Sequence, residues 1–523
     1  MLKRETKERG PGMSDLTGIV SGERHVAWPR HETRVLRAAG GFERLGIGPG
    51  ESVALLLRND IAFIEASHAA MRCGAYAVPI NWHLKPPEVA YILADCAPRV
   101  LVVHADLWRR VRDAIPRGMK VLVAATPPEV REAYGIGDTD GAPPPGIADW
   151  DEWVEGQDPT TAPPKPAPVS MIYTSGTTGK PKGVRRRAPT ADEVPRIEAM
   201  RAKVYGLRPG MRSLVPGPLY HSAPNAMGLR SALMRGLVVL MPRFDPERFL
   251  ALVARHRIGH AFMVPTMFAR LLKLPEDARR RHDLSSLGFI VHAAAPCPPD
   301  IKAQMIDWLG PVLMEFYGGT ETGAVTFCTS AEWLARRGTV GRAVDGAIVK
   351  ALDEAGRELP PGAAGELFMR IPFYPDFTYQ NRPDERAAVE RQGLVSIGDV
   401  GYFDADGYLY LCDRKRDMII AGGVNIYPAE IEAALHALSG VADCAVFGIP
   451  DAEFGEQVMA VVQPAAGAAL APDAIRAELA KSLADFKLPR RIEIVPGLPR
   501  EDSGKIQKRL LRDPYWAGTG RAI

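Results

Sequence analysis

One glycine-rich stretch constrains this chain more than any other. It runs Tyr173-Thr174-Ser175-Gly176-Thr177-Thr178-Gly179-Lys180-Pro181-Lys182-Gly183 and follows the apolar run 169–172, which predicts a loop leaving a buried strand. Its three glycines permit a tight backbone with exposed N–H groups. Its hydroxyl groups and lysines add the donors and positive charge that a polyphosphate needs. It is not a Walker A loop, because Thr174 replaces a required glycine and Pro181 replaces a required Ser or Thr.

Composition narrows the class of protein. The chain has 523 residues, of which 46% are hydrophobic and 24% charged, so several globular domains are expected. A net charge of +3 gives no basic footprint for nucleic acid or for an anionic membrane surface. The six cysteines form no C-x-x-C pair, which argues against a zinc site or a disulfide framework and favours a reducing compartment.

The first residues of the sequence do not have the pattern expected of a secretory signal. Residues 1–7 are polar rather than apolar, so no secretory signal is predicted, and Met13 is an alternative start to Met1. No run reaches the roughly twenty apolar residues of a spanning helix. We therefore expect a cytoplasmic protein without stable membrane insertion.

Strands and helices alternate along the first part of the chain. Helices are predicted at 32–46, 61–73 and 88–94, and near-continuous apolar strands at 52–57, 76–80 and 100–103. This alternation predicts a parallel α/β sheet covered on both faces. The Pro-rich segment 142–168 is expected to be an exposed connection, and alternation resumes over 211–327.

The pattern changes in the last third of the chain. Short segments within 340–412 predict antiparallel strands, arranged as a small β-barrel. From 414 onward the apolar pattern restarts as a compact α+β unit of about a hundred residues, large enough to form a domain. The predicted domains are therefore 1–413 and 414–523.

The glycine-rich stretch resembles the phosphate loop of the adenylate-forming superfamily. Further motifs follow in the family's order: the Y-G-x-T-E block at 315–323, the S/T-G-D element at 396–399, the pair Asp413-Arg414, the glycine-containing loop 421–432, and the lysine motif at 498–508. Together they cover most of residues 40–512. The resemblance is greatest to bacterial fatty-acyl- and bile-acid-type CoA ligases. It implies a large N-terminal AMP-binding domain of layered α/β subdomains with a small β-barrel, and a mobile C-terminal domain with a hinge near Arg416.

The resemblance also implies roles for individual residues. Lys505, Glu321 and Thr177 would be catalytic, and Glu321 and Thr177 would bind Mg²⁺, which prefers oxygen ligands. ATP would contact residues of the phosphate loop, the adenine slot and the ribose site: Thr174, Ser175, Gly176, Thr177, Thr178, Gly179, Lys180, Lys182, Ala294, Ala295, Pro296, Glu315, Phe316, Tyr317, Gly319, Thr320, Asp399, Arg414 and Lys505.

The acid and the thiol would occupy other positions. The expected acid-binding residues are His221, Asn225, Met227, His292, Gly318 and Gly323, although a core role for His221 stays open. Gly422 and Gly423 would line the path of the CoA arm. The basic run Arg185-Arg186-Arg187 stands where the family commonly has a Thr-His pair. We expect it to be solvated, and attraction of the CoA phosphates is the alternative role.

The implied activity is ATP-dependent acyl-CoA ligation through an acyl-AMP intermediate. ATP, CoA and a small carboxylic acid would be the partners, with a fatty or other apolar acid expected. Two alternative enzymes stay open: a ligase that loads a carrier protein, and an aryl-acid CoA ligase. A catalytically dead nucleotide-binding protein is disfavoured by the intact Glu321, Asp399 and Lys505. A homodimer is neither required nor excluded.

Overall fold

The computed structural model describes residues 16–174, 181–414, 417–421, 424–451, 454–500 and 506–517. Its first segment alternates short strands and helices, as the apolar pattern predicts. The elements are β1 Gly18–Ser21, β2 Arg24–Val26, α1 Trp28–Arg44, β3 Ser52–Leu56, α2 Ile61–Arg72, β4 Tyr76–Pro79, α3 Pro86–Cys96, β5 Val100–His104, α4 Ala105–Val111, β6 Lys120–Ala124, α5 Pro128–Tyr134, α6 Asp138–Gly141, β7 Ala148–Asp149, α7 Trp150–Glu155 and β8 Ile172–Thr174.

The second segment begins after the glycine-rich stretch and carries most of the large sheet. Its elements are β9 Lys182–Arg186, α8 Glu193–Val204, β10 Arg212–Val215, α9 Ser222–Leu233, β11 Leu237–Leu240, α10 Pro246–His256, β12 His260–Met263, α11 Pro265–Leu272, α12 Glu276–Arg280, β13 Phe289–His292, α13 Pro299–Leu309, β14 Leu313–Gly319, β15 Gly323–Thr329 and α14 Ser330–Ala335.

Strands dominate the third segment, and a separate α+β unit follows it. The third segment holds β16 Arg342–Ala343, β17 Ile348–Leu352, β18 Gly365–Arg370, β19 Phe377–Tyr379, α15 Pro383–Ala388, β20 Glu390–Arg391, β21 Leu394–Phe403 and β22 Leu409–Arg414. The C-terminal unit holds β23 Ile419–Ala421, β24 Val424–Ile426, α16 Pro428–His436, β25 Val441–Asp451, β26 Gly455–Pro464, α17 Pro472–Leu479, β27 Arg491–Ile494 and α18 Lys508–Trp516.

Two layered sheets form the body of the N-terminal part. One is parallel, in the order β4-β3-β5-β6-β7, and the other is mixed, in the order β16-β15-β14-β13-β12-β10-β11-β1-β2. Strand β3 illustrates why its sequence reads as a continuous apolar run: Val53 and Leu55 pack into one hydrophobic core, while Ala54 and Leu56 pack into another. Both faces of the strand are covered, as expected for a parallel sheet flanked by helices.

Local signals fix the helix boundaries. Asp60 caps α2 by accepting a hydrogen bond from the backbone N–H of Ile61 at 2.6 Å. Asp245 caps α10 in the same way, from Arg248 N–H at 2.8 Å, and Pro246 occupies the first helical position. The longest helix, α1, has 17 residues. In the part of the chain that the structure describes, no helix has the length and apolar character to span a membrane.

Three sequence-based predictions need correction. The segment 142–168 is not merely a connection, because it contains β7 and α7, whose Trp150 and Val154 are fully buried. The buried strand before the glycine-rich stretch begins at Ile172 rather than at 169. The strands expected to form a barrel are divided among three sheets in the described residues. Most make an open antiparallel sheet in the order β17-β18-β21-β20 with β22 on β21, while β16 joins the large mixed sheet and β19 pairs with β9.

The C-terminal unit has its own core. Its sheet runs β24-β23-β26-β25, with β27 parallel to β26. Apolar side chains from α16, α17 and this sheet pack together, among them Ile431, Leu435, Val446, Val458 and Leu479. The smaller C-terminal domain predicted from the sequence is thus confirmed.

Candidate active site

A side-chain hydrogen bond joins two distant motifs, through Tyr317 and Asp399. Tyr317 lies near the end of β14 and Asp399 in β21, and the tyrosine hydroxyl donates to Asp399 Oδ2 at 2.8 Å. Both residues are buried. Asp399 is also the register partner of Arg414 in β22. The residues predicted for the adenine and ribose sites therefore converge, although they come from different sheets.

The predicted adenine wall follows β13 directly. Ala293 is buried, but Ala294 and Pro296 are exposed, so this run of small residues lies at an accessible surface. Ala294 has a φ of +75°, a left-handed conformation that a residue with a Cβ seldom adopts. Such strain costs about 1–3 kcal/mol and concentrates at ligand sites.

A tight hairpin connects β14 to β15 and presents Glu321. A Cβ on Gly318 would lie 1.8 Å from the carbonyl oxygen of Gly323, so no side chain fits there. The Gly319 N–H donates to Thr322 Oγ1 at 2.8 Å and closes the turn. The close approach of the two strands therefore requires glycine at position 318. Together with the Gly319–Thr322 hydrogen bond, it fixes the conformation of the turn that carries Glu321.

Glu321 faces residues from the sheet that flanks the glycine-rich stretch. Tyr379 donates its hydroxyl hydrogen bond to Glu321 Oε1 at 3.1 Å. Burial, and then the Glu321 carboxylate, raise the pKa of Tyr379 above its usual range, so it remains a donor. The ammonium of Lys182 pairs with Glu385 and lies 5.1 Å from the centre of the Tyr379 ring. Lysine, tyrosine and carboxylate thus share one polar patch beside the stretch.

The buried position of Arg186 contradicts the prediction that the basic run 185–187 is solvated. Its side chain is buried, and its guanidinium donates to the carbonyl oxygens of Pro375, Thr320 and Glu321. Burial lowers the pKa of Arg186. Arg187 remains exposed and pairs with Glu193. Arg186 therefore ties strand β9 to the turn that carries Glu321.

Two residues assigned to the site turn their side chains to the other face of the large sheet. Glu315 pairs with Lys302 of α13, and His292 lies fully buried beside Phe268 of α11 with its Nε2 3.8 Å from Glu315 Oε2. Burial raises the pKa of Glu315 against the attraction of Lys302 and lowers that of His292. The His292 side chain therefore faces away from the predicted acid pocket, and a role for His292 in acid binding stays a prediction.

The predicted acid pocket coincides with one hydrophobic core between α8, α9 and the large sheet. Met227 packs there with Phe262, Val291, Phe316 and Tyr317. Gly323 borders it, because a Cβ on Gly323 would lie 3.6 Å from the Tyr374 ring. Asn225 is buried, and its amide nitrogen donates to the carbonyl oxygen of Leu219 at 2.9 Å. His221 precedes α9, and its ring packs on Tyr220.

Several predicted residues lie outside the described part of the chain. They are Ser175, Gly176, Thr177, Thr178, Gly179, Lys180, Arg416, Gly422, Gly423 and Lys505. Their neighbours are described: Thr174 ends β8 opposite Lys182, and Ala421 pairs with Val424. Their roles stay predictions.

Comparison with known proteins decides the family. Residues 7–374 match the AMP-binding enzyme family, and residues 430–505 match the AMP-binding enzyme C-terminal domain. The chain belongs to the AMP-binding enzyme family. It is an adenylate-forming acid–thiol ligase, as its ordered motifs predicted.

Individual relatives of this AMP-binding enzyme differ in the acid they are named for. The chain is 33% identical over 504 residues to a feruloyl-CoA synthase from Amycolatopsis sp, covering 95% of each protein. It is 32% identical over 493 residues to the fatty acid–[acyl-carrier-protein] ligase ScoC from Streptomyces coeruleorubidus, covering 93% of this chain and 91% of that protein. The structure resembles the amide bond synthetase McbA from Marinactinospora thermotolerans, with a TM-score of 0.82, 29% identity, and coverage of 96% and 98%.

The fold brings together a group of arginines at one end of the acid pocket that the sequence analysis did not assign to the site. Arg201 of α8 and Arg230 of α9 both face Glu198, with their Nη1 atoms 2.7 and 3.6 Å from the same Oε1. Burial, and next the like charge of Arg201, lower the pKa of Arg230 to about 10. A signal was present: Ala223, Met227 and Arg230 share one face of α9, at i, i+4 and i+7.

Proposed function

We propose that this AMP-binding enzyme joins a carboxylic acid to free CoA in two half-reactions at one site. The contact between Tyr317 and Asp399 carries the proposal, because it assembles the predicted adenine and ribose contacts from separate sheets. Aromatic surface for a base and a buried carboxylate for vicinal hydroxyls suit a nucleoside. ATP would therefore lie between the exposed run at Ala294 and the Tyr317 ring.

In the first half-reaction the acid attacks the α-phosphorus of ATP. One carboxylate oxygen forms a bond to phosphorus while the bond to the pyrophosphate oxygen breaks, which gives acyl-AMP and pyrophosphate. Anion meets anion in this step, so preorganised positive charge and N–H donors lower its barrier. Lys182, the glycine-rich stretch and Lys505 would supply them. Arg186 would keep the Thr320–Glu321 turn in place.

The residues around Glu321 fit a magnesium ion. Glu321 offers a hard oxygen donor oriented by Tyr379, and Thr177 would add a hydroxyl ligand. When bound, the ion would neutralise phosphate charge as the leaving pyrophosphate develops. The residues of the chain would still provide the contacts to the base, the ribose and the acid.

The second half-reaction would use a different arrangement of the domains 1–413 and 414–523. Rotation about Arg416 would withdraw Lys505 and bring the Gly422–Gly423 loop to the site. The thiol sulfur would then bond to the acyl carbon, the carbon–oxygen bond to AMP would break, and the thiol would lose its proton. Lys505→Ala should therefore abolish acyl-AMP formation and spare thiolysis of supplied acyl-AMP, whereas equal loss of both steps would contradict the rotation.

The acid would have an apolar body, either aliphatic or aromatic. Support comes from Met227, Phe262 and Val291, which wall the pocket with apolar surface. Each buried methylene contributes about 0.8 kcal/mol, so efficiency should rise with the apolar length of the acid until the pocket is full. Acetate should be a poor substrate.

Pyrophosphate release with a panel of acids tests the proposed function. We expect acid-dependent release with ATP, and formation of an acyl thioester when free CoA is added. A carrier-protein ligase is the second candidate, favoured by the similarity to the fatty acid–[acyl-carrier-protein] ligase. Thioester formation with a phosphopantetheinyl carrier protein but not with free CoA would establish that alternative, and absence of release with every acid would contradict both.

A further inference from the structure

Three arginines act on Tyr374 at the border of the acid pocket, and they differ in how their N–H donors are satisfied. The guanidinium of Arg186 donates hydrogen bonds to three backbone carbonyl oxygens. Arg201 pairs with Glu198 at 2.7 Å. Arg230 has only the longer 3.6 Å pairing with that same oxygen, and its guanidinium forms no hydrogen bond to any residue that the structure describes. Its side chain is 16% exposed.

A guanidinium in this position is costly without a partner. It carries five N–H donors in a planar fork that matches a carboxylate. Glu198 offsets the two arginines unequally, since its Oε1 lies 2.7 Å from Arg201 and 3.6 Å from Arg230, and its side chain is 46% exposed to solvent. The end of the pocket therefore holds more positive than negative charge, with donors left over.

The pKa of the Tyr374 hydroxyl reflects the same excess of positive charge. Its ring lies 4.9 Å from the Arg186 guanidinium and borders Gly323 of the acid pocket. Burial would raise the pKa of Tyr374, but Arg201, Arg186 and Arg230 outweigh it and lower the pKa below its usual value. An anion placed among these groups would be stabilised.

Arg230 shares a face of α9 with Met227, which packs in the core of the predicted acid pocket. It follows Met227 by about one turn on the pocket-facing side of α9. The Gly319–Thr322 turn, which carries Glu321, borders the same core from the nucleotide side. An acid whose carboxylate meets ATP would extend its other end along Met227.

We propose that the acid substrate carries a second carboxylate at its far end, which Arg230 binds with Arg201 beside it. This inference rests on the proposed function, since it names the class of acid for the same site. Apolar surface around Met227 would contact the body of the molecule, and the two ends would be distinguished by charge. A purely apolar acid would instead bury the N–H groups of Arg230 without a partner.

Matched pairs of acids test this directly. Straight-chain acids of three to twelve carbons would each be compared with the α,ω-diacid of the same length, and benzoate with its 4-carboxy derivative, by acid-dependent pyrophosphate release. Hydrogen bonds to charged groups predict a kcat/KM that is about tenfold to a hundredfold higher for the best diacid than for its monoacid. A monoacid preferred in every pair would overturn the inference and leave the proposed function intact.

Variants separate substrate binding from a structural role. Arg230→Met should raise KM for the diacid about tenfold to a hundredfold with little change for the monoacid. Glu198→Gln, which removes the competing carboxylate, should keep or increase the diacid preference. Arg255→Met is the control, because Arg255 pairs with Glu23 on the exposed side of α10. Each variant is first checked by thermal unfolding.

The kinetic results for these variants distinguish substrate binding by Arg230 from a structural role for Arg230. If Arg230 only balanced Glu198, the Arg230 and Glu198 variants would impair both acids alike, and the inference would be wrong. Opposite effects of the two substitutions on diacid preference support it. Failure of every acid to release pyrophosphate would contradict the proposed function itself.

Discussion

The hydroxyl of Tyr317 donates to Asp399 Oδ2 at 2.8 Å, across 82 positions of sequence. The contact joins the large mixed sheet to the antiparallel sheet of β21, at the point where the nucleotide is proposed to bind. Because both residues are buried, their relative position is set by packing rather than by a mobile loop.

Tyr317→Phe and Asp399→Asn should therefore weaken ATP binding more than acid binding. We expect KM for ATP to rise about tenfold in each variant, in line with the loss of one or two hydrogen bonds near a charged group. Tyr410→Phe is a matched control, since Tyr410 stacks on Tyr402 in the same sheet. Equal increases in the two KM values would argue against a nucleotide role.

Glu321→Gln should reduce acyl-AMP formation about a hundredfold, the usual effect of removing a group that stabilises developing charge. Its magnesium requirement should rise, because an amide binds the ion less well than a carboxylate. Tyr379→Phe should have a smaller effect of the same kind. A magnesium titration of pyrophosphate release measures both, with the exposed Glu354→Gln as control. Unchanged magnesium dependence in Glu321→Gln would contradict the assignment.

Arg186→Met should destabilise the protein and also slow adenylation. The substitution leaves three carbonyl oxygens without their donor, which costs about 2–4 kcal/mol in total. Arg187→Met should cost less than about 0.5 kcal/mol, because its ion pair is exposed. Thermal unfolding of the two variants compares these losses of stability. Similar melting temperatures would contradict the prediction, because burial of Arg186 would then have no energetic consequence.

Buried histidines should make the native state sensitive to acid. His31 Nε2 lies 3.1 Å from His68 Nδ1, and burial lowers the pKa of His68 to about 4 and that of His31 to about 3. Both values lie below the unfolded value of about 6.5. The neutral rings therefore contribute stability above pH 6.5, and this contribution is lost as pH falls from 6.5 towards 4.

For His68 alone the loss between pH 7 and pH 5 should be about 1.8 kcal/mol. Urea unfolding at pH 7 and pH 5 measures it. His68→Gln should show a flatter pH dependence than the wild-type protein, because it removes the ring whose pKa burial lowers. Parallel pH profiles for wild type and His68→Gln would contradict this prediction.

Secondary structure followed closely from local pattern. The helix predicted at 61–73 is found at Ile61–Arg72, and the strand predicted at 52–57 is found at Ser52–Leu56. Apolar periodicity and capping residues carry this information within each segment. The order in which strands pair is not encoded within a single segment. For this reason the sequence predicted a barrel where the structure has an open sheet.

The site was predicted where a motif fixes backbone and side chain together, as for Tyr317 and Asp399. It was missed where the environment comes from distant residues. Arg186 reads as one of three exposed cations until β9 pairs with β19, which places Arg186 opposite Phe377. Arg201 and Arg230 are brought together only by the packing of α8 beside α9, around Glu198.

The most direct test of the central claim follows oxygen from acid to nucleotide. An acid labelled with ¹⁸O in both carboxylate oxygens is incubated with ATP, magnesium and CoA, and the AMP is analysed by mass spectrometry. An acyl-AMP intermediate predicts one ¹⁸O in the phosphate of AMP for each thioester formed, because the oxygen that attacked phosphorus leaves with it. Thioester formed with unlabelled AMP, or with the label in inorganic phosphate, would contradict the account.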